Sequence, residues 1–240
     1  MSTVAIIGYG NVGFHLERQL NSQHRVSVFA RDPKESHVNS LSTFKAPSYD
    51  FVIITVTDDH IATVSNSFTT ESSIVLHTSG VRPLDDLSNH ERKGVLYPLQ
   101  TFSRDHEVDF AHLKIFIEGT AKDLPEILAL AKSLGPNVQE LESLQRSKLH
   151  LAAVFACNFS NYMYHIAEKL LSELNLEFSD IQSLVEATLA KSLKLGPGKS
   201  QTGPAKRGDV STLARHEKLI DDEEIKELYQ MISRSIQKWQ

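Results

Sequence analysis

The chain has 240 residues, with 25 Lys and Arg against 30 Asp and Glu, for a formal net charge of −5. Mild acidity excludes a broad nucleic-acid surface, which carries a basic excess. The one cysteine, Cys157, excludes an intramolecular disulfide and suits a reducing compartment. The longest uninterrupted apolar stretch, Leu151 to Cys157, falls far short of the roughly 20 residues that span a bilayer. The expectation is a soluble cytoplasmic protein.

Strands are expected at Val4 to Ile7, Val26 to Phe29, Asp50 to Val56, Ser73 to His77, Gly94 to Tyr97 and Lys114 to Glu118. Helical segments fall at Asn11 to Asn21, Ile61 to Phe68 and Leu124 to Leu134. Continuous apolar strands separated by helices argue for a parallel α/β sheet covered on both faces. From about Ser147 the strand signals stop. Leu149 to Leu174 contains no Gly or Pro and reads as one long helix. Its first half is apolar nearly all round and is expected to be buried; its second half narrows to a stripe at Ile166, Leu170, Leu171 and Leu174. Further helices are expected at Ser179 to Leu193, Val210 to Leu219 and Asp222 to Lys238. This divides the chain into an α/β domain over 1–146 and an all-α domain over 147–240.

Gly8-Tyr9-Gly10-Asn11-Val12-Gly13 follows the first strand and opens the first helix. In a dinucleotide fingerprint the first glycine makes the tight turn, the second lets backbone approach a pyrophosphate, and the third packs helix on strand. The end of the second strand then selects the cofactor. An acid there would hold ribose hydroxyls, but this chain has Ala30 at that position, followed by Arg31 and Asp32. Arg31 suits a 2′-phosphate, so NADP is favoured over NAD. Asp32 is read as a turn starter before Pro33. A flavin is disfavoured by the same missing acid.

Three further strand ends lie at the carboxyl edge of the sheet. Thr55-Val56-Thr57 is placed along the dinucleotide, with Asp58 as an N-cap. His77-Thr78-Ser79-Gly80 and Tyr97-Pro98-Leu99-Gln100-Thr101-Phe102 bring imidazole, hydroxyl and amide groups to the same edge. His77 is a candidate acid or base beside the structural alternative of a hydrogen-bonded core histidine.

In the helical half, His150, Val154, Asn158, Asn161, Tyr162 and His165 share a face at 3.6-residue spacing. His150 and Asn158 suit either a ligand or a neighbouring helix; His165 reads as structural. Thr202-Gly203-Pro204-Ala205-Lys206-Arg207-Gly208-Asp209 reads either as an anion or substrate loop or as a solvated turn with Asp209 as N-cap. No HxH, HxxxH or CxxC pattern exists, so no metal site is expected. Cys157 is expected to be inert within an apolar helix.

Gly8 to Gly13, Arg31, His77 to Gly80, Tyr97 to Phe102 and Thr202 to Asp209 together resemble one bacterial family. That group pairs a Rossmann-like domain with a C-terminal helical domain of unknown function, and is often labelled as NADP oxidoreductase, coenzyme-dependent. It is similar in layout to pyrroline-5-carboxylate reductase and the β-hydroxyacid dehydrogenases. The resemblance implies an NADP-binding fold, a helical dimerisation domain and a reductase of unassigned substrate. β-Hydroxyacid dehydrogenases carry a catalytic lysine four residues before an asparagine. If Asn158 matches that asparagine, Val154 stands at the lysine position, and that mechanism does not carry over.

The expectation is an NADP(H)-dependent oxidoreductase that transfers hydride to a small carbonyl or imine held between the two domains. Cofactor contacts are assigned to Gly8, Tyr9, Gly10, Asn11, Val12, Gly13, Arg31, Thr55, Val56, Thr57 and Ser79. Chemistry is assigned to His150, His77, Asn158 and Arg207, with His150 or His77 supplying the proton and Arg207 holding a substrate carboxylate. A homodimer through the helical half is expected. The alternative is a non-catalytic NADP-binding sensor.

Overall fold

Alternation along the first-half strands determines which layer each side chain enters. In β1 (Thr3–Ile7), Val4 and Ile6 enter one core, while Ala5 and Ile7 enter the other. The same split recurs in β4 (Phe51–Ile54) and β5 (Ile74–His77). Strands buried on both faces are what a parallel sheet under two helical or loop layers requires. The computed structural model describes residues 1–239.

The sheet order is β3-β2-β1-β4-β5-β6-β7-β8, with β2 at Arg25–Ala30, β3 at Val38–Ser40, β6 at Lys93–Pro98, β7 at Ile115–Gly119 and β8 at Val138–Glu140. All pairs are parallel except β6 with β7, where Leu96 faces Ile117 in antiparallel register. The chain moves outward from β1 through β2 to β3 and then returns to β4 on the other side of β1. This order creates a topological switch between β1 and β4, where an open sheet offers a crevice at its carboxyl edge. Helix α1 (Asn11–Leu20) and helix α3 (Leu124–Leu134) cover one face; α2 (Ile61–Ser65) lies on the other. The two strands that periodicity does not signal, β3 and β8, are three residues each and close the sheet at its edges.

Helix α4 (Ser143–Ala153) opens with a capping box between Glu142 and Gln145, so the helix begins before the expected Leu149. It passes into a π-helical turn over Val154–Phe159 and then into α5 (Ser160–Ser172). A π turn takes more residues per turn than an α turn, so the 3.6-residue stripe from His150 to His165 does not hold across it. The apolar first half is also not buried. Leu151 is 56% exposed and Phe155 61%, and Cys157 is a free, exposed thiol. Contact with the sheet uses the side of α4 carrying Arg146 and Leu149, which leaves Leu151 facing outward.

By contacts the chain divides into two units, Met1–Cys157 and a helical unit from Asn158 on. The helical unit continues with α6 (Gln182–Leu195), short α7 (Pro197–Ser200) and α8 (Pro204–Arg207), α9 (Val210–Leu219) and α10 (Glu223–Lys238). Asp209 caps α9 by accepting from the Thr212 amide, and Asp222 caps α10 by accepting from Glu224 and Ile225. Among the described residues no helix is long and apolar enough to cross a membrane.

Candidate functional site

The glycine turn sits at the switch between β1 and β4. Gly8 has φ +107°, a conformation that side chains rarely adopt, and the Thr55 hydroxyl donates to its carbonyl at 2.9 Å. A Cβ on Gly13 would stand 2.4 Å from that same carbonyl, so α1 can approach β1 only through glycine. Gly10 differs from both. Its backbone is ordinary (φ −76°, ψ −165°) and a Cβ there would meet nothing within 4 Å. Neither strain nor packing inside the chain calls for glycine at that point; open space does. It stands at the N-terminus of α1, where the Asn11, Val12 and Gly13 amides precede the first intrahelical bond, from Phe14 to the Gly10 carbonyl at 3.0 Å. These residues fit a dinucleotide pyrophosphate, which needs close backbone and free amide donors.

The loop after β6 returns to this turn. Asn11 Nδ2 donates to the Phe102 carbonyl at 2.9 Å, and His15 Nε2 lies 2.8 Å from the Ser103 carbonyl. Arg104 donates to the Tyr9 carbonyl and, at 2.7 Å, to Glu35. The Tyr9 hydroxyl donates to Glu17, and burial together with that carboxylate pushes its pKa up. Beside them, a cleft of about 370 Å³ at the end of β2 is lined by Tyr9, Ala30, Asp32, Lys34, Glu35, Val38 and Arg104. Arg31 is exposed and is not in that lining.

A second cluster forms where β5 and β6 end. His77 is fully buried; its Nδ1 accepts from the Ser79 amide at 3.2 Å, which places its proton on Nε2. That Nε2 has no hydrogen-bond partner among the described residues. Burial, with the Arg146 guanidinium nearby, pushes the His77 pKa down to about 4. A neutral, sealed imidazole does not exchange protons with a substrate at neutral pH, so the structure gives His77 a core position. Ser79 Oγ accepts from the amides of Val81 and Arg82 and so caps the turn after β5.

His150 is placed differently. Its Nδ1 lies 3.1 Å from the Tyr97 hydroxyl, and a Cβ on Gly80 would stand 2.6 Å from that nitrogen. Glycine at position 80 is what lets the imidazole close on the sheet edge. Burial pushes the Tyr97 pKa up, so the phenol stays protonated. Arg146, 1% exposed, holds this arrangement together: it donates to the Ser79 carbonyl at 3.1 Å, to the Arg82 carbonyl at 2.5 Å and to Glu118. Sequence reading missed Arg146 because its partners lie 28 to 67 residues away.

Thr57 Oγ1 lies 2.9 Å from His60 Nδ1; Thr57, not Asp58, holds the cap position of that turn, because Asp58 already has helical geometry. Val56 packs on the core that contains Val52 and Ile54. Asn158 and Arg207 are exposed residues of the helical unit. Within that unit Arg207 ends α8, Lys206 donates to the Trp239 carbonyl at 3.3 Å, and Asp209 is held down to about 2 by hydrogen bonds from Thr212 and Ser211. No group of three or more metal-ligating side chains exists among the described residues.

Residues 113–236 match the family model described as Domain of unknown function (DUF2520). The structure superimposes on a Bacteroides fragilis protein provisionally named NADP oxidoreductase, with TM-score 0.89, 33% identity, and coverage of 99% of this chain and 98% of that one. It also resembles a reductive aminase from Aspergillus terreus in complex with NADPH and ethyl levulinate (TM-score 0.69, 15% identity, coverage 99% and 94%). A third likeness is 1-pyrroline-5-carboxylate reductase from Streptococcus pyogenes (TM-score 0.62, 12% identity, coverage 99% and 98%). The last two likenesses concern the fold. A search of curated proteins finds no match.

Proposed function

The chain belongs to the DUF2520 family, and from that premise we propose that it is an NADP(H)-dependent oxidoreductase reducing a small carbonyl or imine. The observation that carries the reading is Gly10: a glycine with ordinary dihedrals and empty space over it, at the amide-rich end of α1. The name of the Bacteroides fragilis protein, at 33% identity over nearly the whole chain, supports NADP, and the NADPH-bound reductive aminase supports the substrate class.

When bound, the dinucleotide would supply hydride. The Gly8–Gly13 turn would hold its pyrophosphate through the free α1 amides, and the Thr55 hydroxyl keeps that turn closed from below. His150 supplies the substrate proton, and the Tyr97 phenol, 3.1 Å away, orients the ring. Arg146 positions both by pinning the Ser79–Arg82 turn under α4. The proposal assigns the protein to the cytoplasm and makes it a homodimer through the helical unit, whose exposed leucines on α6 need a cover.

NADPH oxidation followed across a panel of small ketones and cyclic imines tests the reading. His150→Gln is expected to lower turnover about 10²-fold or more while leaving NADPH affinity within about twofold. Tight NADPH binding with no turnover on any substrate would instead support a dinucleotide sensor. Absence of binding to NADPH and NADH alike ends the proposal.

A further inference from the structure

The sequence places phosphate selection on Arg31, but the cleft at the end of β2 is built around another arginine. We propose that Arg104, carried by the loop after β6, selects a 2′-phosphorylated dinucleotide, and that Glu35 is its resident counter-ion, displaced when the phosphate enters. The inference rests on the dinucleotide reading above and deepens it.

Arg104 is fixed by the glycine turn itself. Its guanidinium lies 4.8 Å from the Tyr9 ring centre and 5.0 Å from that of Phe14, and it donates to the Tyr9 carbonyl. A planar fork already oriented against the pyrophosphate turn is suited to a second phosphate carried on the 2′-oxygen of the neighbouring ribose. Glu35 holds the other arm at 2.7 Å, and its side chain is 37% exposed. Its remaining ionic contact, to His37, is 3.9 Å long, so the carboxylate is free to swing outward. Lys34 lines the same cleft and makes no ion pair among the described residues.

Charge decides which occupant wins. With Glu35 in place, Asp32 and Glu35 balance Lys34 and Arg104 within the cleft. A 2′-phosphate brings nearly two negative charges and three acceptor oxygens, and it outcompetes a single carboxylate for the fork. A ribose 2′-hydroxyl brings no charge and leaves the Glu35–Arg104 pair closed. An acid at the end of β2 is therefore compatible with NADPH here, because it is paired and displaceable.

Calorimetric titration of the full chain with NADPH, NADH and adenosine 2′,5′-bisphosphate tests this. Wild type is expected to prefer NADPH. Arg104→Ala should weaken NADPH and the bisphosphate about tenfold or more and leave NADH within about twofold. Glu35→Gln should tighten NADPH by about threefold or more, again without moving NADH. Arg104→Lys should recover part of the loss, and it carries the test with Glu35→Gln if the alanine variant melts below assay temperature. Equal weakening of NADPH and NADH by Arg104→Ala overturns the inference, since it marks a residue that merely braces the glycine turn. Wild-type preference for NADH, with Glu35→Gln weakening it, overturns it as well and assigns Glu35 to the ribose hydroxyls. If wild type binds neither dinucleotide, the functional reading falls and takes this one with it.

Discussion

The sheet unit and the helical unit satisfy their apolar side chains in opposite ways. Every residue of β4 is buried, and the side chains of β1 and β5 fill two cores that sandwich the sheet. In the helical unit α5, α6 and α10 bury no residue at all, and Ala205, Leu213 and Ile220 are its buried apolar side chains. Leu189 and Leu193, one turn apart on α6, are 57% and 79% exposed. Amphipathic helices without a core of their own owe their stability to a surface that covers them. The sheet unit has the means to stand on its own contacts; the helical unit does not.

The sharpest way to break this contrast is Arg146→Ala. The substitution leaves Glu118 facing an empty place and frees the turn that shapes the His77–Gly80 edge. Removing one partner of a buried ion pair costs about 3–5 kcal/mol. Urea unfolding should show that loss; a change below about 1 kcal/mol would mean that the clamp contributes little. Next come matched truncations, one in each unit. Ile53→Ala, at a fully buried position of β4, should cost about 2–5 kcal/mol. Leu219→Ala, at a site 73% exposed in α9, should stay within about 0.5 kcal/mol.

Acid stability sharpens the same contrast through His77. Its pKa falls from 6.5 to about 4 on folding, so the unfolded chain binds a proton that the folded chain refuses. The stabilisation is complete above pH 6.5 and is lost as pH drops from 6.5 towards 4. At about 1.4 kcal/mol per unit it amounts to about 3 kcal/mol. Burial also lowers the pKa of His24 and His90, and both act in the same direction. His77→Asn keeps an acceptor for the Ser79 amide and cannot titrate. Its stability should fall less steeply than that of wild type between pH 6.5 and 4, and an unchanged slope would remove His77 from the acid response.

The two units were also unequally legible in the amino-acid sequence. Val4 to Ile7 and the glycines that follow, through Gly13, carry strand, turn and helix start in ten consecutive residues, so local chemistry suffices to read them. Helix α3 is legible for the same reason, its Ile127, Leu130, Ala131 and Leu134 stripe being contiguous. The site beyond the glycine turn is not local. Tyr97 meets His150 53 residues later, Arg146 reaches back 67 residues to Ser79, and Arg104 reaches back 95 to Tyr9. His77 stayed open between proton carrier and core histidine because a strand-end histidine gives no sign of whether it is solvated. The helix over Leu151 to Cys157 looked buried because apolar composition records a need for cover and not where that cover comes from.

That need yields the prediction that bears most directly on the comparison. If a second copy covers α6, Leu189 and Leu193 lie in an interface, and each leucine removed from water contributes about 1.5–3 kcal/mol. Leu189→Ser with Leu193→Ser should then shift a dimer towards monomer in light scattering, and melting should become dependent on protein concentration. The single variants should lower the melting temperature by about 3–12 °C, because a chain of this length loses about 2–4 °C per kcal/mol. NADPH affinity should not move, since the glycine turn lies in the sheet unit. Should the double variant leave mass and melting unchanged, those leucines face water in the working protein. The helical unit would then hold its fold on Ala205, Leu213, Ile220 and its capping aspartates, Asp209 and Asp222.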